Sequence, residues 1–332
     1  MMMPTCFLCF SPLNCTISFI LFYEQHPMVY SPKSQSFVPL TKRQWDVARW
    51  NRCAPFYASE WMPMYRPIYD RVVEQCVKEV KSEEYPSFLD ICSGAGEPSL
   101  SLAKRFPGAE IVSADLAATN IRVGKLRASK AKASNVLFQY ADAEDLQFDS
   151  DSFDVVVCCL GLMYCDVEVA LEQMSRVAKS GSPVCVVLFG PLHQLDHIQP
   201  FKMAIESQRT TPDMDLAPSI FDNRLAVEAA MKRVGLTKIR CEESSVEFKI
   251  FGNSWDKVWE RGFGRYFDGW LATTSEQGEL NKTLPEALEN AKMVYFQTAQ
   301  EKGFVVENRE GDNSALFKFP RNTIITLVGY KP

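Results

Sequence analysis

The chain has no surplus of positive charge: 36 Lys and Arg face 41 Asp and Glu, for a net charge of -5. A phosphate backbone needs a broad basic footprint, so nucleic acid is not an expected partner, and the basic runs Lys125-Leu126-Arg127 and Lys130-Ala131-Lys132 read as a solvated helix face. Internal repeats and low-complexity tracts are absent, which excludes repeat architectures. No cysteine pair at zinc-ligand spacing has a matching second pair, so no metal is expected. The eleven cysteines fall at irregular intervals, and Cys92, Cys158, Cys159 and Cys185 lie in apolar, strand-like runs. Such thiols behave as small hydrophobes, and a reducing, cytoplasmic compartment is the expectation. Also missing is the Gly-Lys-Ser/Thr that closes a phosphate-binding P-loop.

What is present suits one large domain with insertions: 332 residues, 46% hydrophobic and 23% charged. Residues 6–23 are nearly all apolar. No Lys or Arg precedes them, no clear small-residue cleavage site follows, and the run is short for a membrane span. Residues 1–38 therefore read as an extension, unstructured or targeting, with Met28 as an alternative start. Membrane or organelle association would run through residues 6–23 alone. Asn14-Cys15-Thr16 fits a glycosylation acceptor only in a secreted chain.

Residues 39–82 read as an aromatic-rich helical cap, with Ile68, Val72, Cys76 and Val80 at helical spacing. Strands and helices then alternate. Strands are expected at 87–92, 110–114, 135–140, 153–159 and 183–189, and helices at 98–105, 119–132 and 167–179. This order implies a mostly parallel sheet covered on both faces. A helix at 223–234 and a strand at 238–251 follow, and a last strand spans 322–330. Residues 251–320 read as a helical lid inserted before that strand, with Trp255, Trp259, Phe263, Tyr266, Phe267 and Trp270 in it.

Folds of this kind bind ligands where strands end. The first such place reads "FLDICSGAGEPSL", residues 88–100. Gly94 and Gly96 supply two glycines of a dinucleotide fingerprint, but Ser99 stands at the third position. Glu97 would repel a pyrophosphate. A nucleoside without phosphates and with a cationic tail fits better, as S-adenosylmethionine is, and Asp90 would favour its sulfonium and ammonium. Asp115 ends the second strand, where an acid commonly grips ribose hydroxyls, although a helix cap would look the same. Asp142 follows the third strand, where it could accept from an adenine amino group, with Ala143 leaving room for the ring.

The segments "FLDICSGAGEPSLSLAKRFPGAEIVSADLA" and "YADAEDLQFDSDSFDVVVCCLGLMYCDVEVALEQMSRVAKSGSPVCVVLFG" resemble the core of class I S-adenosylmethionine-dependent methyltransferases. Among these they are most similar to the small-molecule branch around the ubiquinone/menaquinone C-methyltransferases, over roughly residues 85–190. The resemblance implies an α/β fold: a Rossmann-like, doubly wound, mostly parallel seven-stranded sheet with an N-terminal helical cap and a helical lid before the last strand. It implies S-adenosyl-L-methionine as cofactor, with Asp90, Gly94, Ala95 and Gly96 at the methionine end. Asp115 and Leu116 would lie at the ribose, Asp142 and Ala143 at the adenine, and Cys159 and Leu160 near the sulfonium. The family loop usually reads D-x-G-x-G-x-G, and this chain departs from it at Cys92-Ser93.

Methyl transfer to a small-molecule acceptor (quinone, phenol, lipid-like or amine) needs alignment more than acid–base chemistry. If a base is required, His193 and Tyr164 are candidates. His193 and His197 would share a face of a helix, or both would be solvated if Pro191 and Pro200 make the segment a loop. Asp166 reads as a helix cap. The acceptor pocket is expected among Trp45, Trp50, Tyr57 and Trp61, the Leu162-Met163-Tyr164 turn, His193, and Phe263 and Tyr266 of the lid. The chain is expected to be a monomer or homodimer. An NAD-dependent oxidoreductase on the same layout and a non-catalytic S-adenosylmethionine-binding protein are the competing readings.

Overall fold

The computed structural model describes residues 41–80, 85–210, 223–252, 280–306 and 315–332, together with Trp259 and the strand backbones within residues 6–39. Those four strands, β1 (Cys6–Phe10), β2 (Ile17–Tyr23), β3 (His26–Ser31) and β4 (Ser36–Pro39), pair antiparallel as a sheet of their own.

The cap follows. Thr41 opens α1 (Lys42–Phe56) with a capping box: its hydroxyl accepts from Gln44 N while Gln44 returns the bond to Thr41 N. A π-helical turn, Tyr57–Trp61, and the short α2 (Met62–Met64) lead into α3 (Arg66–Glu79). The apolar spacing seen in the sequence is the buried face of α3: Ile68, Tyr69, Val72 and Cys76 are all at most 3% exposed. Burial of each such side chain contributes roughly 1.5–3 kcal/mol.

The main sheet runs β10 (Thr237–Gly252), β12 (Ala315–Tyr330), β9 (Pro183–Phe189), β8 (Val155–Cys159), β5 (Ser87–Ile91), β6 (Glu110–Asp115) and β7 (Val136–Tyr140), with the short β11 (Val305–Val306) beside β12. Its parallel part is β5, β6, β7, β8 and β9. Helices α4 (Ser99–Arg105), α5 (Ala118–Ala131) and α6 (Val167–Val177) connect them. Every residue of β8 and β9 is buried, because helices cover both faces.

The chain starts this sheet at its centre, winds outward through β6 and β7, and returns to lay β8 on the other side of β5. The strand order thus reverses between β5 and β8. At such a point the connecting loops diverge and leave a crevice at the carboxyl ends of the strands.

Past β9 come α7 (Gln199–Glu206), α8 (Arg224–Arg233), β10 (Thr237–Gly252) and α9 (Leu284–Glu301). The last strand, β12 (Ala315–Tyr330), begins seven residues before the expected Asn322. Pro320 does not stop it, since it lies in a register shift between the pairs Val246–Asn322 and Phe248–Phe319. Phe263 and Tyr266 of the expected lid lie outside the described residues, as do Trp255, Phe267 and Trp270. No helix among the described residues is long and apolar enough to cross a membrane.

Candidate active site

A cleft of about 850 Å³, open to solvent, lies over the ends of β5, β6, β7 and β8. Its floor includes Gly94, Asp115, Leu116, Asp142, Ala143, Cys159 and Leu160, and its roof includes Arg43, Asp46, Val47 and Trp50 of α1. Tyr57, Met62, Tyr69 and Tyr164 close the end near Cys159.

The glycine loop divides its work. Gly94 has a φ of +55°, and a Cβ there would meet nothing within 4 Å, so the backbone lies open for a ligand. Gly96 serves packing: a Cβ on it would stand 2.8 Å from the ring of Phe138. Cys92, where the family favours glycine, also has a positive φ of 55°. Its Sγ lies 3.8 Å from that of Cys165, and burial among thiols holds both protonated.

The amino end of α4 is closed to anions by the chain's own side chains. Asp90 Oδ2 accepts from Ser99 N (3.1 Å) and Ser99 Oγ (2.6 Å). Glu97 Oε2 accepts from Ser101 N (3.2 Å) and Ser101 Oγ (2.6 Å). The amides of Leu100 and Leu102 donate to Gly96 O and Pro98 O. The first-turn amides of Ser99, Leu100, Ser101 and Leu102 are therefore all engaged within the chain.

Two expectations change here. Glu97 is not a bare negative charge, because Arg127 Nη2 reaches its Oε1 at 3.1 Å. Arg127, which the sequence places on a solvated helix face, also donates to Ala95 O at 2.5 Å. Asp90, expected at the methionine end, lies fully buried beneath the loop and does not line the cavity; nor do Ala95 and Gly96. Desolvation pushes the Asp90 carboxyl up to about 7, against the opposing bonds from Ser99. Its Oδ1 has no hydrogen-bond partner among the described residues.

Asp115 organises the next corner. Its Oδ2 accepts from Gly94 N (2.8 Å), and its Oδ1 accepts from Ala117 N (2.8 Å) and Asn120 Nδ2 (3.1 Å). Burial raises its pKa and these donors oppose the rise. At the far end Asp142 Oδ1 accepts from Glu144 N (2.9 Å) and from Arg43, which also pairs with Glu144. Aromatic rings meet at the other end: Trp50 lies 5.3 Å from Tyr57 and 5.5 Å from Tyr164 between centroids. Arg49 stacks over Trp50 and Tyr164 at 5.8 and 5.4 Å, so a protein cation already takes that face. Burial raises the phenols of Tyr57 and Tyr69, which are hydrogen-bonded to each other, well above their usual range. Tyr164 is raised for the same reason.

The remaining expected residues lie apart. Trp61 and Met163 are buried beside the cavity without lining it. His193 sits exposed in a 3-10 turn, Leu192–Gln194, and does not line the cavity. The two histidines share neither a helix face nor a solvated loop. His197 is fully buried, and its Nδ1 donates to Asn322 Oδ1 at 2.6 Å. The rings of Tyr65, Phe189 and Phe248 surround it, and desolvation pulls its pKa down to about 4. Asp166 caps α6 as expected, accepting from Val169 N at 3.2 Å. Among the described residues no cluster of His, Cys, Asp or Glu is suited to a metal ion.

Residues 88–181, which build the cavity floor, match the family described as "Methyltransferase domain". The match covers the parallel strands β5 to β8 and the loops that follow them. An uncharacterized protein of Mycobacterium tuberculosis strain H37Rv is 28% identical over 170 residues, covering 49% of this chain and 58% of that protein. A demethylmenaquinone methyltransferase of Thermus thermophilus is 36% identical over 104 residues, 31% of this chain and 47% of the relative. The chain thus spans about half the length of the curated relatives it matches. Among solved structures, Haemonchus contortus phosphoethanolamine N-methyltransferase 2 in complex with S-adenosyl-L-methionine shares the fold, with a TM-score of 0.52 at 15% identity. That match covers 90% of this chain and 62% of the other.

The lining is compatible with a nucleoside such as S-adenosylmethionine: Gly94 leaves its backbone open, Asp115 brings a carboxylate to the wall, and Leu116 and Ala143 are apolar. Arg43, Tyr69, Asn120, Glu144 and Arg127 escaped the sequence reading. Only Asn120 left a trace there, as a polar residue in the first turn of a helix that follows a ribose-type acid.

Proposed function

We propose that the chain is an S-adenosylmethionine-dependent methyltransferase acting on a small, uncharged, apolar acceptor. The observation that carries this reading is the closed amino end of α4. With Asp90 on Ser99 N and Glu97 on Ser101 N, the crevice has room for a nucleoside but leaves neither of these first-turn amides to a pyrophosphate. An NAD-dependent reading loses its anchor there.

The acceptor would enter beside Tyr57, Met62, Tyr69 and Tyr164. Five carboxylates and one guanidinium line the cavity, which disfavours an anionic acceptor. Arg49 over Trp50 and Tyr164 disfavours a cation at those rings. A quinol or other neutral ring compound fits the remaining apolar and phenolic surface, in line with the quinone acceptor that the Thermus relative's name carries.

When bound, the cofactor supplies a methyl group on a positively charged sulfur, and the protein's task is alignment and exclusion of water. Trp50, Tyr57 and Tyr69 exclude water at the reacting end. The raised phenols of Tyr57, Tyr69 and Tyr164 and the raised thiol of Cys159 stay protonated near neutral pH. They act as hydrogen-bond donors to the acceptor, and the proton that the methyl group replaces on a quinol is released to solvent. His193, exposed and off the cavity wall, has no part in this scheme.

Titration calorimetry with S-adenosylhomocysteine and with NAD tests the reading. Micromolar binding of the first, about -8 kcal/mol, and none of the second is expected. Binding of NAD alone would overturn it. Transfer of labelled methyl to a demethylated quinol then tests the acceptor class.

A further inference from the structure

The helix α1 presents Arg43, Asp46, Val47 and Trp50 to the cavity, the i, i+3, i+4, i+7 face of one helix. Two side chains tie this roof down. Asn51 Oδ1 accepts from Thr119 N at 2.8 Å, near the start of α5. Arg43 bridges Asp142 and Glu144 on the loop after β7. Glu144 in turn accepts from Asp166 N through its Oε1 at 2.9 Å.

The second tie does more than hold a helix. Asp142 Oδ1 is filled by Arg43 and by Glu144 N, whereas Oδ2 accepts from none of the described residues. Asp142 lines the cavity, and Ala143 beside it adds no bulk. Granting the cofactor reading above, on which this inference rests, we infer that Arg43 is a positioning residue for the purine. By fixing one carboxylate oxygen it turns the other toward the exocyclic amino group, so the chain selects a 6-amino purine over a 6-oxo purine. Donation to a carboxylate held in place is stronger than donation to one free to rotate.

The test compares S-adenosylhomocysteine with S-inosylhomocysteine, which carries an oxo group in place of the amino group. Both are titrated by calorimetry into the wild-type chain, Arg43→Ala and Asn51→Ala. The wild type should prefer the adenosyl ligand by roughly tenfold or more, the worth of one good hydrogen bond. Arg43→Ala should lose most of that preference. Asn51→Ala removes the other tie and should weaken both ligands by the same factor. If Arg43→Ala also weakens both equally, Arg43 is only a latch and the inference falls. If the wild type binds neither ligand, the cofactor reading itself fails, a result distinct from an unchanged preference.

Discussion

The floor of the cavity is made of strand ends, while its roof is a helix laid over them from earlier in the chain. On the floor the sheet fixes where each backbone atom lies, and the polar side chains answer backbone amides: Asp90 to Ser99, Glu97 to Ser101, Asp115 to Gly94 and Ala117. The roof is held mostly by side chain against side chain, through Arg43 and packed rings, with one tie from Asn51 to a backbone amide. Position alone can therefore specify a role on the floor. In the roof a role depends on which partner the helix meets.

Two buried titratable groups sharpen this contrast and give the largest expected effects. Between about pH 4 and pH 7 the unfolded chain has ionised Asp90, while the folded chain keeps the proton. Folding takes up a proton in that window, so stability falls as pH rises through it, on the order of 4 kcal/mol in total, and is level above. His197, packed against Tyr65 of the cap, acts in the opposite sense. Between about pH 4 and 6.5 the unfolded chain is protonated and the folded chain is not, so stability rises with pH by about 3 kcal/mol. Calorimetric melting from pH 4 to 8 separates them: Asp90→Asn should gain on the wild type as pH rises, and His197→Gln should lose ground. Curves parallel to the wild type would show that neither group titrates as its burial demands.

A smaller effect is expected at Asp115. Asp115→Ala strips Gly94 N, Ala117 N and Asn120 of their acceptor. Binding of S-adenosylhomocysteine should weaken roughly 100-fold, about 2.7 kcal/mol; unchanged affinity by calorimetry would remove Asp115 from the site. The smallest effect belongs to the roof. Asn51→Ala leaves Thr119 N without its cap and should cost about 1 kcal/mol of stability, read as a slightly lower Tm.

The same division explains what the sequence revealed. The alternation of strands and helices, Gly94, Asp115, Asp142 and the cap at Asp166 were legible because a parallel sheet must present its ligand side at strand ends. Most boundaries moved by a residue or two, as at α5, where Ala118–Ala131 stands against the expected 119–132, while the start of β12 moved by seven. Arg43 was invisible because nothing in α1 announces that its first turn meets a loop 99 residues later. Arg127 looked like one more solvated cation, since its partner Glu97 lies on another element. The burial of His197 depends on Asn322, 125 residues away, whose Nδ2 is itself fixed by Val246 O and Phe319 O. Asp90 was placed one layer too far forward, because a strand-end acid can face the ligand or the helix behind it.

Phe138 has a consequence for how the site holds together. Its ring fills the space left by both Gly96 and Gly124, where an added Cβ would stand 2.8 and 2.2 Å away. The glycine turn, the strand β7 and the helix α5 are thereby wedged into one piece that cannot part without ejecting an aromatic ring. The far side of the cleft is closed differently, by α1, whose Arg43, Asn51 and Trp50 meet three separate partners and no common wedge.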